Sequence, residues 1–159
     1  MTQVVFCLPG ANLRHAIYVF LCDFKMIQTM DTRVTSNHIT ELKPGEIFVF
    51  GSNLEGAHGG GAALLAWRKW GAVWGQGAGL QGQTYGIPTM HGGPEDIRPY
   101  VDDFIAFARQ HPAMTFLVTE IGCGIAGFTP QEIAPLFREA KEVDNIWLPQ
   151  RFWDVLNGK

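Results

Sequence analysis

The sequence predicts an α/β domain built on a mostly parallel or mixed sheet, and three observations lead there. Short apolar runs rich in strand formers alternate with helical patterns. Two of those runs end in glycine-rich turns that open onto a helix, and a capping box with proline at the first helical position announces the last helix. With 159 residues, 47% of them apolar and 17% charged, the chain is long enough to bury an ordinary core without disulfide or metal staples.

Glu46-Ile47-Phe48-Val49-Phe50 stands between Pro44-Gly45 and Gly51 and reads as a buried strand. The first glycine turn runs from Gly51-Ser52-Asn53 to Gly59-Gly60-Gly61. Behind it Ala62-Ala63-Leu64-Leu65-Ala66-Trp67 forms a helix, closed by Arg68 and Lys69 where cations suit the helix dipole. Ala72-Val73-Trp74 and Thr84-Tyr85-Gly86-Ile87 read as short strands flanking a loop at residues 75–82, too rich in glycine for regular structure. From Pro94 to Gln110, the residues Ile97, Val101, Phe104, Ile105 and Ala108 recur at helical spacing behind Glu95 and Asp96. Residues 114–121 form the best strand, followed by the second turn, Gly122-Cys123-Gly124-Ile125-Ala126-Gly127. Thr129-Pro130-Gln131-Glu132 is the capping box, and Ile133, Leu136, Phe137 and Ala140 are the inner stripe of its helix. Pro135 removes one N–H there and kinks or delays the helix. Residues 145–148 close as a last strand.

Residues 1–30 read as an appendage or an extra strand, and residues 31–159 as the ligand-binding domain. The apolar run at residues 16–22 is cut by Asp23 and Lys25 far below membrane-spanning length. Cys7, Cys22 and Cys123 are odd in number and lack CxxC spacing, so reduced thiols and a cytoplasmic location are expected. The net charge of −3 gives no electrostatic footprint for nucleic acid. A small-molecule partner is the expectation, with no metal and no cofactor, because the five histidines show no ligand spacing.

Glycine lets backbone N–H groups approach a ligand, and a strand–turn–helix junction aims them at an anion. Two such junctions suggest a diphosphate. Ligands of parallel sheets gather at the carboxyl ends of strands, so both turns should face one cleft. Asn53 offers a donor and an acceptor, suited to ribose hydroxyls or to positioning a water, or else it simply forms a turn. Glu55 and His58 read either as a base or as solvated loop residues. Cys123 is either an activated thiol or a small side chain packed under the loop, and Phe128 either a core residue or an aromatic wall. Gln76, Gln81 and Gln83 mark a lid or a connector. Trp67, Trp70 and Trp74 suit a core or a subunit contact better than a stacking platform.

The strand, the Gly-x-Gly-Ile-x-Gly-Phe turn at residues 122–128 and the Pro130-initiated helix resemble the phosphate-binding loop of macrodomains, a family of ADP-ribose-binding modules. Gly51-Ser52-Asn53 followed by Gly59-Gly60-Gly61-Ala62 resembles that family's asparagine and polyglycine loop. Ile39-Thr40-x-Leu42 stands at nearly the family's spacing before it. The resemblance covers residues 37–149 and implies a three-layer α/β/α fold with a mixed central sheet. It places a pyrophosphate on the backbone of Gly122, Cys123, Gly124, Ile125, Ala126 and Gly127, next to Phe128, the distal ribose on Gly51, Ser52, Asn53, Gly59, Gly60 and Gly61, and a base near His38 and Ile39. Two departures stand out. Asn37 or His38 replaces the acidic residue that holds the adenine amino group, and Ala62 follows Gly61 where hydrolytic members carry an acidic residue. The implied function is binding of ADP-ribose or a related nucleotide diphosphate derivative; if the protein is an enzyme, the reaction is hydrolysis of ADP-ribosyl bonds, for which Asn53, Glu55 and His58 are the candidates by their own chemistry. One alternative is a non-catalytic reader of ADP-ribosylated protein or free nucleotide. The other is an unrelated Rossmann-like nucleotide or sugar-phosphate enzyme, against which neither turn is a Walker A or a GxGxxG opening.

Overall fold

A computed structural model describes residues 33–159; the reading of residues 1–30, with Cys7 and Cys22, lies outside the described residues. In chain order the elements are β1 (Val34–Thr35), β2 (Glu46–Ser52), α1 (Gly61–Lys69), β3 (Gly79–Gln81), β4 (Thr84–Pro88), α2 (Pro94–Gln110), β5 (Thr115–Val118), α3 (Pro130–Ile133) running on as a 3-10 helix (Ala134–Glu142), β6 (Ile146–Pro149) and α4 (Gln150–Leu156). The fold is α/β, on a six-stranded mixed sheet of order β1-β6-β5-β2-β4-β3. All neighbours are parallel except β3, which pairs antiparallel with β4.

Strand β2 shows how the core divides. Its side chains alternate between faces, so Ile47 and Val49 join a large cluster with Ile97, Val101, Phe104 and Phe137. Phe48 and Phe50 join a second cluster with Ala63, Ala66 and Ala72. A strand buried on both faces reads as a continuous apolar run, as this one does. The stripe expected on α2 is wholly buried, and so is the Ile133, Leu136, Phe137 and Ala140 stripe. Pro135 leaves its mark as a change of pitch: the α-helical turn ends at Ile133 and the chain continues with 3-10 geometry, because proline has no N–H to return to the preceding turn.

Three expectations need correction. Ala72-Val73-Trp74 is not a strand: the Ala72 N–H bonds back to Ala66 O, the Val73 N–H to Gln81 Oε1 and the Val73 carbonyl to His58. With these groups bonded to the end of α1 and to two side chains, they are not available for a ladder. The loop at residues 75–82 contains β3, turned into β4 through Gly82 at φ +58°, where a Cβ would lie 2.6 Å from Trp70 O. The strand expected at residues 114–121 is shorter, Thr115–Val118. Elements β1 and α4 add to the expected set, and α4 buries Phe152 and Trp153 completely or nearly so. Of the three tryptophans, Trp70 packs on Phe48 at 4.6 Å, while Trp67 and Trp74 are exposed and meet edge to face at 5.4 Å. Among the described residues no helix is long and apolar enough to cross a membrane.

The capping box carries a pH signature. The Glu132 carboxylate accepts from the Thr129 N–H at 2.8 Å and from its hydroxyl at 2.9 Å, and these bonds hold the carboxyl below its usual range. A depressed carboxyl contributes its stability fully above the ordinary carboxylate range and loses it as pH falls through the lowered value. NMR titration should find Glu132 below that range in the native protein and returned toward it in Thr129→Ala; identical curves would refute the assignment.

Candidate functional site

Because β2, β4 and β5 run parallel in register, with Ser52 opposite Pro88 and Val49 opposite Val118, the segments that leave their carboxyl ends emerge together. They enclose a cleft of about 210 Å³ lined by both glycine turns, from Gly51 to Asn53, Gly60 to Ala63, and Gly122, Gly124, Ile125 and Ala126, with Thr89, Met90, Thr119 and Glu120 between them. The turns are close neighbours. A Cβ on Gly51 would lie 3.4 Å from the Gly122 nitrogen, and one on Gly60 would lie 3.3 Å from Ile125 Cδ1.

Two sets of residues that carry unpaired backbone donors among the described residues line this cleft. Helix α1 starts behind Gly60, which has no side chain to cap it, and carries no acidic residue in its first turn. The N–H groups of Gly61, Ala62 and Ala63 have no intrahelical partner, and all three residues line the cleft. In the second turn, Cys123, Gly127 and Phe128 spend their N–H groups on Glu120 O, Gly124 O and Gly122 O. Those of Gly124, Ile125 and Ala126 donate to no acceptor among the described residues, and these three also line the cleft. Gly122, at φ +72° with Ile133 and Phe128 atoms 3.2 and 3.3 Å from any Cβ, is the position that only glycine fits.

A second pocket of about 570 Å³ adjoins the first and shares Ala62, Thr119 and Glu120 with it. Residues 35–39, including His38 and Ile39, form one wall, with Phe48, Leu65, Val118, Pro149 and Arg151 opposite. Arg151 Nη1 lies 3.0 Å from Glu120 Oε2. Thr35 is 3% exposed, and its hydroxyl has no hydrogen-bond partner among the described residues.

Of the remaining site candidates, Asn53 lines the cleft and the others lie outside it. The Asn53 amide is spent on its own loop, donating to Ala57 O at 2.8 Å and accepting from the Ala57 N–H at 2.7 Å, so it braces the turn. Glu55 is exposed and lines neither pocket. His58 is fully buried, edge-on to Phe50 at 5.3 Å, with Nε2 2.9 Å from Val73 O. A carbonyl only accepts, so that nitrogen carries the proton, and the ring ties the first turn to the segment behind it. Gly59 and Gly127 do not line the cleft. Cys123 and Phe128 are half-buried and pack against the large cluster. Gln76, Gln81 and Gln83 line neither pocket; Gln81 is buried and bonds Gln76 O and the Val73 N–H, so this segment is a buttress, not a lid.

Burial, with the Glu120 carboxylate second, pushes the Cys123 thiol up to about 11. In a chain carrying Cys7→Ser and Cys22→Ser, iodoacetamide should therefore label Cys123 far more slowly at neutral pH than it labels a free thiol, and faster as pH approaches 11. Rapid labelling at pH 7 would contradict this. Among the described residues no group of three or more His, Cys, Asp or Glu side chains is placed to hold a metal.

Thr89, Thr119, Glu120 and Arg151 are the cleft residues that sequence reasoning left without a role. Glu120 carried a usable signal, since it stands at the carboxyl end of a strand directly before the second turn. The chain matches no protein-family model, no curated protein and no solved structure.

Proposed function

We propose that this protein binds ADP-ribose or a closely related nucleotide diphosphate derivative in the cleft between its two glycine turns, on a three-layer α/β/α macrodomain-like fold. One observation supports the proposal: the residues of the uncapped N-terminus of α1, and Gly124, Ile125 and Ala126, whose N–H groups have no acceptor among the described residues, line the same small cleft. Each set suits one phosphate, and two phosphates joined through an oxygen would engage both. The adjoining pocket, walled by Ile39, Phe48, Leu65 and Pro149, has the apolar breadth for a nucleobase.

The reading is one of binding without turnover. Asn53 is engaged with Ala57, His58 is buried and Glu55 faces solvent outside the cleft, so none of the three is free to activate a water at an anomeric carbon. Free nucleotide and ADP-ribosylated protein are both suitable ligands. Calorimetric titration with ADP-ribose, AMP and a non-adenine dinucleotide tests the binding claim, with ADP-ribose expected to bind more tightly than AMP, which lacks the second phosphate. No heat at millimolar ADP-ribose would refute it. Prolonged incubation with an ADP-ribosylated protein should release no ADP-ribose, and release would make the protein a hydrolase.

A further inference from the structure

The connectivity of a nucleoside diphosphate constrains what lies between the two pockets. If the base occupies the larger, apolar-walled pocket and the phosphates occupy the glycine cleft, the ribose joining them must sit at the residues both share: Ala62, Thr119 and Glu120. Ala62 has no polar side chain, and the Thr119 hydroxyl already donates to Val49 O at 2.8 Å. Glu120 has Oε2 held by Arg151, while Oε1 has no hydrogen-bond partner among the described residues.

Resting on the reading above, we infer that Glu120, positioned by Arg151, reads the ribose next to the base, its free Oε1 accepting from the 2′,3′-diol. The site thereby selects ribonucleotides over their deoxy counterparts. A carboxylate is the natural acceptor for vicinal hydroxyls, which offer two donors and no charge. Left alone it would repel the neighbouring phosphates. The guanidinium at 3.0 Å offsets that charge and engages one carboxylate oxygen, leaving the other without a hydrogen-bond partner among the described residues.

The test compares ADP-ribose with its analogue whose adenosine ribose is 2′,3′-dideoxy, each titrated into the native chain and into Glu120→Ala. The native protein is expected to bind ADP-ribose about tenfold or more tightly than the analogue, as suits hydrogen bonds to a charged group. Glu120→Ala should weaken ADP-ribose by a similar factor and bind both ligands equally. Glu120→Gln, which keeps an acceptor and loses the charge, should fall between. The Glu120 side chain is 29% exposed, with Arg151 its ion-pair partner, so thermal melting should show all variants folded. Equal affinity of the native protein for the two ligands, or discrimination that survives in Glu120→Ala, overturns the inference while leaving ADP-ribose binding standing. Failure of ADP-ribose itself to bind removes both readings.

Discussion

Gly124→Glu is expected to abolish ADP-ribose binding in a protein that remains folded. A Cβ built on Gly124 meets nothing within 4 Å and the residue has no positive φ, so the new side chain enters without steric strain. It enters beside the N–H groups of Ile125 and Ala126, which line the same cleft. There its carboxylate competes for the donors and repels the diphosphate, and like charges set against each other at an interface cost several kcal/mol. Affinity should fall by about a hundredfold or more, since each 1.4 kcal/mol is a factor of ten. Gly124→Ala, which adds a methyl and no charge, should bind within a few-fold of the native chain. Calorimetry read beside thermal melting decides the matter: a folded Gly124→Glu that binds normally would remove the second turn from the site.

A large effect on stability is expected from Gly77→Ala, although Gly77 lines neither pocket. A Cβ there would lie 2.1 Å from Asn53 O, 3.0 Å from Leu54 O and 3.1 Å from Asn53 C. All three are backbone atoms and none can rotate aside. The Gly77 carbonyl also accepts from the Ser52 hydroxyl, and a Cβ on Gly86 would lie 2.6 Å from that same carbonyl, so the segment cannot retreat toward β4. Gly56 closes the arrangement, accepting from the Gly75 N–H at 2.9 Å. Overpacking of this kind typically costs 1–3 kcal/mol, occasionally more, and urea denaturation should show a loss of about 2–3 kcal/mol or an unfolded chain. A folded variant should bind ADP-ribose more weakly, because the Asn53 loop that leads into Gly60 and Gly61 must shift. An unchanged midpoint and affinity would show that the two segments are not interlocked.

These two glycines show what was legible in the sequence. Gly124 belongs to a turn that announces itself: an apolar run, three glycines in six residues and a proline-led capping box, all local and strongly patterned. Strand β2 and helix α2 were legible for the same reason, since a buried parallel strand and an amphipathic helix each imprint their own period. Gly77 sits in a glycine-rich stretch that reads as a loop, and its role arises from contact with residues more than twenty positions earlier. Strand β3 was hidden because a three-residue edge has no period to detect, although Gly82 between two candidate strands was a hairpin signal. Helix α4 left a faint trace in Phe152, Trp153 and Leu156, spaced for one helical face.

The site divides along the same line. That both glycine turns line one cleft could be read from their places at the carboxyl ends of strands, because the parallel sheet brings those ends together. The side-chain partners are not legible in the sequence: the Asn53 amide turns back to Ala57, His58 reaches Val73, and Glu120 meets Arg151 across 31 positions. None of these pairings has a spacing rule.

The most direct test of a diphosphate held by backbone donors from both turns is an amide NMR titration of the native chain with ADP-ribose. The account predicts that the largest, saturable shifts fall on two separate groups of amides, Gly61 to Ala63 and Gly124 to Ala126, with the Cys123, Gly127 and Phe128 amides moving less because their protons are already bonded. Shifts confined to one turn, shifts elsewhere on the surface, or no shift at millimolar ligand would contradict it.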